Sequence, residues 1–159
     1  MIQKIISGGQ TGADIAGVDA AITSNIPYGG WLPKNRRTEN GALSEEYTDF
    51  QVMTWGGYPK RTEQNVIDSD GTVFFTYGKL SGGSSLTKMF AVKHKRPWLH
   101  VNLNTTSDPV DLIINWLIKW EIEILNIAGK TASKSPAIYN RVKNIIEQIL
   151  KLTCCHNYT

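Results

Sequence analysis

Two glycine-containing segments, residues 7–14 and 81–85, are the most informative chemical feature of the sequence. Each follows an apolar run and precedes apolar residues at helical spacing. Glycine lets a ligand approach backbone N–H groups closely, and the first turn of a helix adds unpaired N–H donors and the positive end of its dipole. Each segment therefore predicts a cradle for an anion. The predicted walls are Ser7, Gly8, Gly9, Thr11 and Gly12 on one side, and Ser81, Gly82, Gly83, Ser84 and Thr87 on the other.

Neither segment is a standard nucleotide-binding motif. Residues 8–12 match neither G-x-G-x-x-G nor the P-loop, which needs Lys followed by Ser or Thr. A glycine turn between a strand and a helix can also be purely structural, so either segment alone leaves both interpretations open. The ligand interpretation is favoured because two such segments occur at equivalent positions. If the strand before Ser7 neighbours the strand before Gly78, both segments flank one crevice at the carboxyl edge of the sheet.

Basic side chains could add positive charge to this site. We select Lys34 and Arg37, which lie in a basic loop, and Lys130, which follows the last predicted strand. Arginine can hold a phosphate through two parallel hydrogen bonds, but the same residues could equally face solvent. Arg61, Asn65 and Asp68 lie near or on one predicted helix and are spaced to share roughly one face, where they could line a pocket or could only cap the helix and face solvent.

No catalytic residue and no metal ligand is assigned from the pattern of titratable residues. The chain order offers no arrangement typical of a Ser-His-Asp triad. Cys154, Cys155 and His156 are contiguous, which is poor spacing for a tetrahedral zinc site. We interpret residues from about 153 to 159 as a flexible tail.

The two segments must be positioned by an alternation of strands and helices. The run 72–76 is continuously apolar or β-branched, as expected for a strand buried on both faces. The alternation predicts a single α/β domain over residues 1–159, a doubly wound, mainly parallel, Rossmann-like sheet of five or six strands with flanking helices. The main strands are predicted at 2–6, 50–54, 72–76, 97–103 and 122–127. Helices are predicted after residue 14, over 62–69, after residue 85, from Pro109 and from Pro136.

Composition restricts the class of partner. The chain has 159 residues, of which 41% are apolar, enough for a packed core. The net charge is only +3, which suits an anionic ligand and argues against nucleic acid. No apolar run approaches the roughly 20 residues of a membrane helix, and the N-terminal apolar run ends at Gly8. We therefore expect a cytoplasmic protein without a membrane segment.

Five blocks of the sequence resemble the putative molybdenum carrier family. They are residues 4–14, 26–34, 61–70, 80–87 and 126–134. The resemblance implies a Rossmann-like fold related to lysine-decarboxylase-like and nucleotide phosphoribohydrolase proteins. It also implies binding of the molybdenum cofactor, a phosphorylated molybdopterin, in a homo-oligomer, with molybdoenzymes as further partners. The glycine segments would then hold the cofactor phosphate or the molybdate oxygens.

The resemblance favours binding over catalysis. Related hydrolases carry a loop of the form P-G-G-x-G-T-x-x-E, and this chain has Met89 where that motif has glutamate. A methionine cannot transfer a proton. An alternative is a nucleotide-processing enzyme, an N-glycosidase or phosphohydrolase, in which Glu63, Asp68 or Asp70 replaces the missing acid. A nucleotide-sensing module is a further alternative.

Overall fold

The secondary structure alternates along the chain as the periodicity predicts. A computed structural model describes residues 1–154. The strands are β1 (Lys4–Ser7), β2 (Tyr28–Gly29), β3 (Trp31–Leu32), β4 (Arg37–Thr38), β5 (Gly41–Ala42), β6 (Gln51–Val52), β7 (Gly71–Thr76), β8 (Trp98–Asn102) and β9 (Ile124–Gly129). The α-helices are α1 (Ala13–Thr23), α2 (Tyr58–Ile67), α3 (Gly83–Lys93), α4 (Pro109–Lys119) and α5 (Ile138–Cys154), and one 3-10 turn spans Lys34–Arg36.

The central sheet has five strands in the order β2-β1-β9-β7-β8, and every neighbouring pair is parallel. This confirms the predicted α/β class and its parallel sheet. If β9 is counted as the first strand, followed by β1, β2, β7 and β8, the spatial order becomes 3-2-1-4-5, which is a doubly wound order. Strand order then reverses between β9 and β7. That point of reversal is where such sheets bind ligands.

The strands before the two glycine segments, β1 and β7, are not neighbours in the sheet. The sequence-based expectation that both segments flank one crevice assumed that they were, and that assumption is wrong. β9 pairs with β1 on one side and with β7 on the other, so it separates them. The two glycine segments are therefore one strand further apart than expected. The carboxyl end of β9 lies between them and contributes to whatever site they form.

Helices cover both faces of the sheet. α1, α4 and α5 pack on one face around a large apolar cluster that includes Phe75 and Ile127, whereas α2 and α3 pack on the other. The second face has a smaller apolar cluster, centred on Val66 and Phe90. Beneath it the sheet carries the buried polar residues Thr72 and Asn126, and Asn126 Nδ2 donates to Thr72 Oγ1 at 3.1 Å. The polar interior therefore lies on the α2 and α3 side.

Small residues bring α1 close to the sheet. The helical spacing of Ile15, Val18 and Ile22 after the first glycine segment predicts one buried apolar face, which is wrong in part because Ile22 is 45% exposed. The buried side of the helix is formed mainly by alanines together with Gly17. A Cβ on Gly17 would lie 2.5 Å from Ile127 Cδ1, so the Ile127 side chain of β9 occupies the space beside Gly17.

Several element boundaries differ from the sequence-based expectation. α2 begins at Tyr58, four residues before the expected start, and α3 already begins at Gly83. α5 begins at Ile138 rather than at Pro136, because a turn in which Ile138 N donates to the carbonyl of Ser135 comes first. α5 continues through Cys154, and Cys155 and His156 lie outside the described residues. Within residues 1–154, no helix has the length and apolar character needed to cross a membrane.

Candidate functional site

A cavity of about 390 Å³ lies at the carboxyl end of β9, between the two glycine segments and α2. Its volume falls within the range of small-molecule sites, about 300–1,000 Å³. It lies at the point where strand order reverses. Six of the predicted site residues line it: Gly8, Ser81, Gly83, Ser84, Thr87 and Lys130. The other lining residues that carry polar or charged side chains are Gln10, Asp14, Glu39, Tyr58, Arg61, Thr62, Asn65, Asn126, Thr131 and Lys134.

The amides of the first glycine segment are already hydrogen-bonded within the chain. The bonds run from Gly9 N to Ser7 Oγ (3.1 Å), from Gln10 N to Asp14 Oδ2 (3.4 Å), from Thr11 N to Gln10 Oε1 (3.0 Å) and from Ala13 N to the Lys130 carbonyl (3.1 Å). Two of these donors, Gly9 N and Thr11 N, belong to residues predicted to bind the anion, and they have acceptors within the protein. Ser7, Gly9, Thr11 and Gly12 do not line the cavity.

The glycines of this segment make room for the protein itself. Gly9 has φ +67°, and a Cβ there would lie 2.3 Å from Leu32 Cδ2. Gly12 has φ +81°, and its Cβ would lie 2.3 Å from the carbonyl oxygen of Lys130. Thr11 Oγ1 also accepts a hydrogen bond from Ala132 N at 3.1 Å. The loop that follows β9 thus packs directly on the start of α1.

Glu39 connects three separate parts of the cavity rim. It lies in the turn between β4 and β5, and its carboxylate accepts hydrogen bonds from Thr11 Oγ1, from Ser133 N at 3.1 Å and from Ser133 Oγ at 2.6 Å. The hydrogen bonds from Ser133 and Thr11 hold the pKa of Glu39 below its usual value. Its backbone N–H also donates to Gln10 Oε1 at 2.9 Å. The carboxylate therefore ties the β4–β5 turn to both neighbouring loops.

Arg61 lies in the cavity wall as a buried guanidinium. The residue is 8% exposed, and its Nη1 lies 3.7 Å from Asp14 Oδ2. Its Cζ lies 5.2 Å from the ring centroid of Tyr58. A Cβ on Gly8 would lie only 1.4 Å from Arg61 Nη1. The guanidinium of Arg61 therefore occupies the space that a side chain at residue 8 would need.

Asp14 is a buried carboxyl group whose acidity is altered by its surroundings. Burial raises its pKa from 3.8 to about 6, although the Arg61 charge and backbone N–H donors of Gln10 and Gly8 act in the opposite direction. Burial also lowers the pKa of Arg61, and the Asp14 charge opposes that change. A carboxyl group with a raised pKa in a cavity is a candidate functional residue.

The second glycine segment is open, in contrast to the first. Gly82 has φ +54° and precedes α3, whose N-terminus has no side-chain cap. A Cβ on Gly83 would meet no atom within 4 Å, and one on Gly82 would lie 3.9 Å from Lys134 Nζ. Lys130 Nζ donates to Ser81 Oγ from the opposite loop. Lys130 and Lys134 therefore converge at the start of α3, where Ser84 N already donates to the Ser81 carbonyl at 3.2 Å.

Two predicted basic residues lie away from the cavity. Lys34 and Arg37 are exposed and do not line it. Their neighbour Arg36 stabilises the following loop, because its guanidinium donates to the carbonyl oxygens of Leu43, Ser44 and Tyr47 at 3.1, 2.7 and 2.9 Å. The structure therefore separates this basic loop from the two glycine segments.

The acids considered as replacements for the missing glutamate also lie elsewhere. Glu63 pairs with Lys93 and His94 at 2.7 Å, and Asp70 accepts from the backbone N–H groups of Glu123 and Ile124. Asp68 accepts from Trp31 Nε1 at 2.9 Å and does not line the cavity. Met89 is 54% exposed. Over residues 1–154, no group of three or more His, Cys, Asp or Glu residues is placed to hold a metal ion.

Two carboxyl groups of the cavity, Asp14 and Glu39, were not predicted as site residues. Asp14 is the second residue of α1, after Gly12 and Ala13, and an acidic residue in the first turn of a helix is ordinarily explained by helix stabilisation. Nothing local distinguishes Glu39 from an exposed turn residue. Arg61 and Asn65 do line the cavity, as one of the two open interpretations stated. Asn65 Nδ2 donates hydrogen bonds to the carbonyl oxygens of Ser7 and Trp31, and its Oδ1 accepts one from Trp31 N. The Asn65 side chain therefore has a structural role as well.

Fold and cavity together define a doubly wound, Rossmann-like α/β protein with a ligand-sized polar cavity at the point of strand reversal. A sequence model of the circularly permutated YpsA SLOG family matches residues 5–150, so the chain belongs to that family. The permuted strand order agrees with this description. A crystal structure of a putative molybdenum carrier protein from Syntrophus aciditrophicus SB is 50% identical, with a TM-score of 0.91 over 94% of this chain and 95% of that chain. The resemblance drawn from the sequence is thereby confirmed. No curated protein matches the chain.

Proposed function

We propose that the protein binds a phosphorylated small molecule in this cavity and carries it, and that the ligand is the molybdenum cofactor, a phosphorylated molybdopterin. The observation that supports this most directly is the open N-terminus of α3 beside Lys130 and Lys134, in a ligand-sized cavity. The similarity to a putative molybdenum carrier protein supports the choice of ligand. Molybdoenzymes would receive the cofactor.

The phosphate is held at the second glycine segment in this proposal. Backbone N–H groups at the start of α3 and the positive end of the helix dipole favour an anion there. Lys134 lies beside Gly82, and Lys130 reaches Ser81 from the loop after β9. Ser84 is 5% exposed and makes no side-chain hydrogen bond to the described residues, so its hydroxyl is available as a further donor. The first segment contributes the opposite wall through Gly8 and Gln10 rather than donating its amides.

The polar lining of the cavity suits a heterocycle with several hydrogen-bonding groups. Asn126 and Thr62 line the side formed by β9 and α2, and Tyr58 adds an aromatic surface. The molybdenum is cargo in this proposal and is held by the cofactor itself. The residues of this chain bind the organic part and its phosphate.

Native mass spectrometry and calorimetry test the proposal. Freshly purified protein should contain a bound small molecule, and a phosphorylated pterin should bind with an affinity that falls as salt rises. Lys134→Gln and Lys130→Gln should each weaken binding several-fold. Lys151→Gln removes an exposed lysine that does not line the cavity and should leave binding unchanged. A protein that contains no small molecule and binds neither a phosphorylated pterin nor a nucleoside monophosphate would contradict the proposal.

Asp14 supports a second candidate, a nucleotide N-glycosidase. A carboxyl group whose pKa is about 6 can act as an acid or base near neutral pH, and Asp14 lies in the cavity. This enzyme would release free base from nucleoside monophosphates, and Asp14→Asn would abolish the release. If the wild-type protein binds these compounds but releases no base, the carrier function is favoured.

A further inference from the structure

The guanidinium of Arg61 has no hydrogen-bond acceptor among the described residues. A guanidinium carries five N–H donors and no acceptor. Its Nε is fully buried and makes no hydrogen bond, and the 3.7 Å between Nη1 and Asp14 Oδ2 exceeds hydrogen-bond length. Since burying unsatisfied donors is costly, an arrangement of this kind calls for acceptor atoms from outside the chain.

Neighbouring residues hold the Arg61 guanidinium in its position. Gly8 leaves the space that Nη1 occupies, and Tyr58 contacts the guanidinium from its own helix. The side chain is only 9% exposed, yet the residue lines the cavity. The cavity therefore has a buried positive group at Arg61, in addition to the more exposed lysines at the start of α3.

We propose that Arg61 and Asp14 form a second oxyanion subsite, so that the ligand carries two negatively charged groups, one at the start of α3 and one at Arg61, and that Asp14 takes up a proton when the second group binds. This rests on the proposed function, because it concerns the same cavity. A guanidinium binds an oxyanion through charge-assisted, often paired, hydrogen bonds.

The proton uptake follows from the charges around Asp14. An anion bound at Arg61 lies beside the Asp14 carboxylate, and a neighbouring like charge raises a carboxyl pKa further. The other charged or titratable groups that face the cavity are Tyr58 on α2, Glu39 in the β4–β5 turn, and Lys130 and Lys134 in the loop after β9. Asp14 starts from a pKa of about 6, so an anion would bring it to protonation near neutral pH, with the proton coming from solvent. Glu39 has a lowered pKa and remains ionised.

Sulfate is a suitable probe because it is a divalent oxyanion that does not titrate near neutral pH. In the wild-type protein, nuclear magnetic resonance should detect shifts of the Arg61 Nε–H and Gly8 amide signals, and separately of the Gly83 amide signal. In Arg61→Met, the Gly8 response should weaken at least about tenfold while the Gly83 response persists. Lys134→Gln should show the reverse pattern, and Lys151→Gln neither.

A second measurement does not require the loss of Arg61. Calorimetry of sulfate binding in buffers with different ionisation enthalpies should report proton uptake by the wild-type protein. Asp14→Asn keeps the guanidinium and a hydrogen-bonding side chain, so it should still bind sulfate at both subsites but without proton uptake.

The outcomes separate this inference from the proposed function. If sulfate shifts only the Gly83 signal, or if Arg61→Met leaves the Gly8 response unchanged, the Arg61 subsite is refuted while anion binding at α3 stands. Binding at Arg61 with no proton uptake would refute the role of Asp14. If the wild-type protein shows no sulfate response at either position, both proposals are overturned.

Discussion

The guanidinium of Arg61 occupies the space that a side chain on residue 8 would fill, since a Cβ on Gly8 would lie 1.4 Å from Arg61 Nη1. The two residues are 53 positions apart in sequence, and the absence of a side chain at Gly8 leaves room for the Arg61 guanidinium. A change at Gly8 should therefore act on the cavity through Arg61 and not through backbone conformation.

Gly8→Ala should displace the Arg61 side chain and destabilise the protein by about 1–3 kcal/mol, the usual cost of overfilling a packed site. Urea unfolding measures this change, and nuclear magnetic resonance of the Arg61 Nε–H signal reports the displacement. Gly57→Ala is a matched control, because its Cβ would meet only Pro59 Cδ at 3.7 Å. An alanine variant at residue 8 with unchanged stability and an unchanged Nε–H signal would show that the two side chains do not compete for this space.

Asp14 should make the stability of the protein depend on pH. Its native pKa of about 6 is above the ordinary 3.8, so the native state binds this proton more tightly than the unfolded state. The contribution of Asp14 is most favourable at low pH and declines as pH rises from about 4 to about 6. Over that window the stability of Asp14→Asn relative to wild type should rise by up to about 3 kcal/mol.

Urea unfolding at several pH values measures this difference. Asp111→Asn, which changes an exposed carboxylate in the first turn of α4, serves as the control and should show no such trend. A constant difference between wild type and Asp14→Asn from about pH 4 to about pH 8 would mean that Asp14 titrates normally in the folded protein.

Glu39→Gln should loosen the β4–β5 turn from the cavity rim. The variant loses the charge that accepts hydrogen bonds from Thr11 and from Ser133, so amide hydrogen exchange should accelerate in residues 37–42 and 131–134. Because the pKa of Glu39 is lowered, the wild-type contact is present above the ordinary carboxyl pKa and is lost as pH falls through the lowered value.

Glu45→Gln provides the comparison for this exchange experiment. Glu45 is an exposed carboxylate between β5 and β6 that does not line the cavity. Equal exchange rates in the two variants would show that Glu39 does not hold the turn in place.

Close packing of α1 on β9 predicts a compensating pair of substitutions. Gly17→Ala should cost about 1–3 kcal/mol, since its Cβ would lie 2.5 Å from Ile127 Cδ1. Ile127→Val removes that methyl group and alone should cost about 0.5–1.5 kcal/mol. The double variant should be less destabilised than the sum of the two, as measured by urea unfolding. Strict additivity would indicate that the two positions are not in contact.

The sequence alone was sufficient for the fold class and for the edge of the sheet at which the cavity lies. The continuous apolar run of β7, fully buried from Gly71 to Thr76, and the helical spacing after each glycine segment are local signals that act over a few residues. The carboxyl ends of parallel strands lie at one edge of a sheet, so the glycine segments had to lie near that edge.

Only the tertiary structure decided how the two glycine segments are used. β9 enters between β1 and β7, which places the Lys130 carbonyl on the amide of Ala13 and leaves the start of α3 open. The contacts of Arg61 with Gly8 and of Glu39 with Ser133 join residues 53 and 94 positions apart. Periodicity and turn chemistry are local properties, whereas such contacts depend on strand order and on packing of the whole chain. A buried guanidinium and a lysine in solvent therefore look alike in sequence.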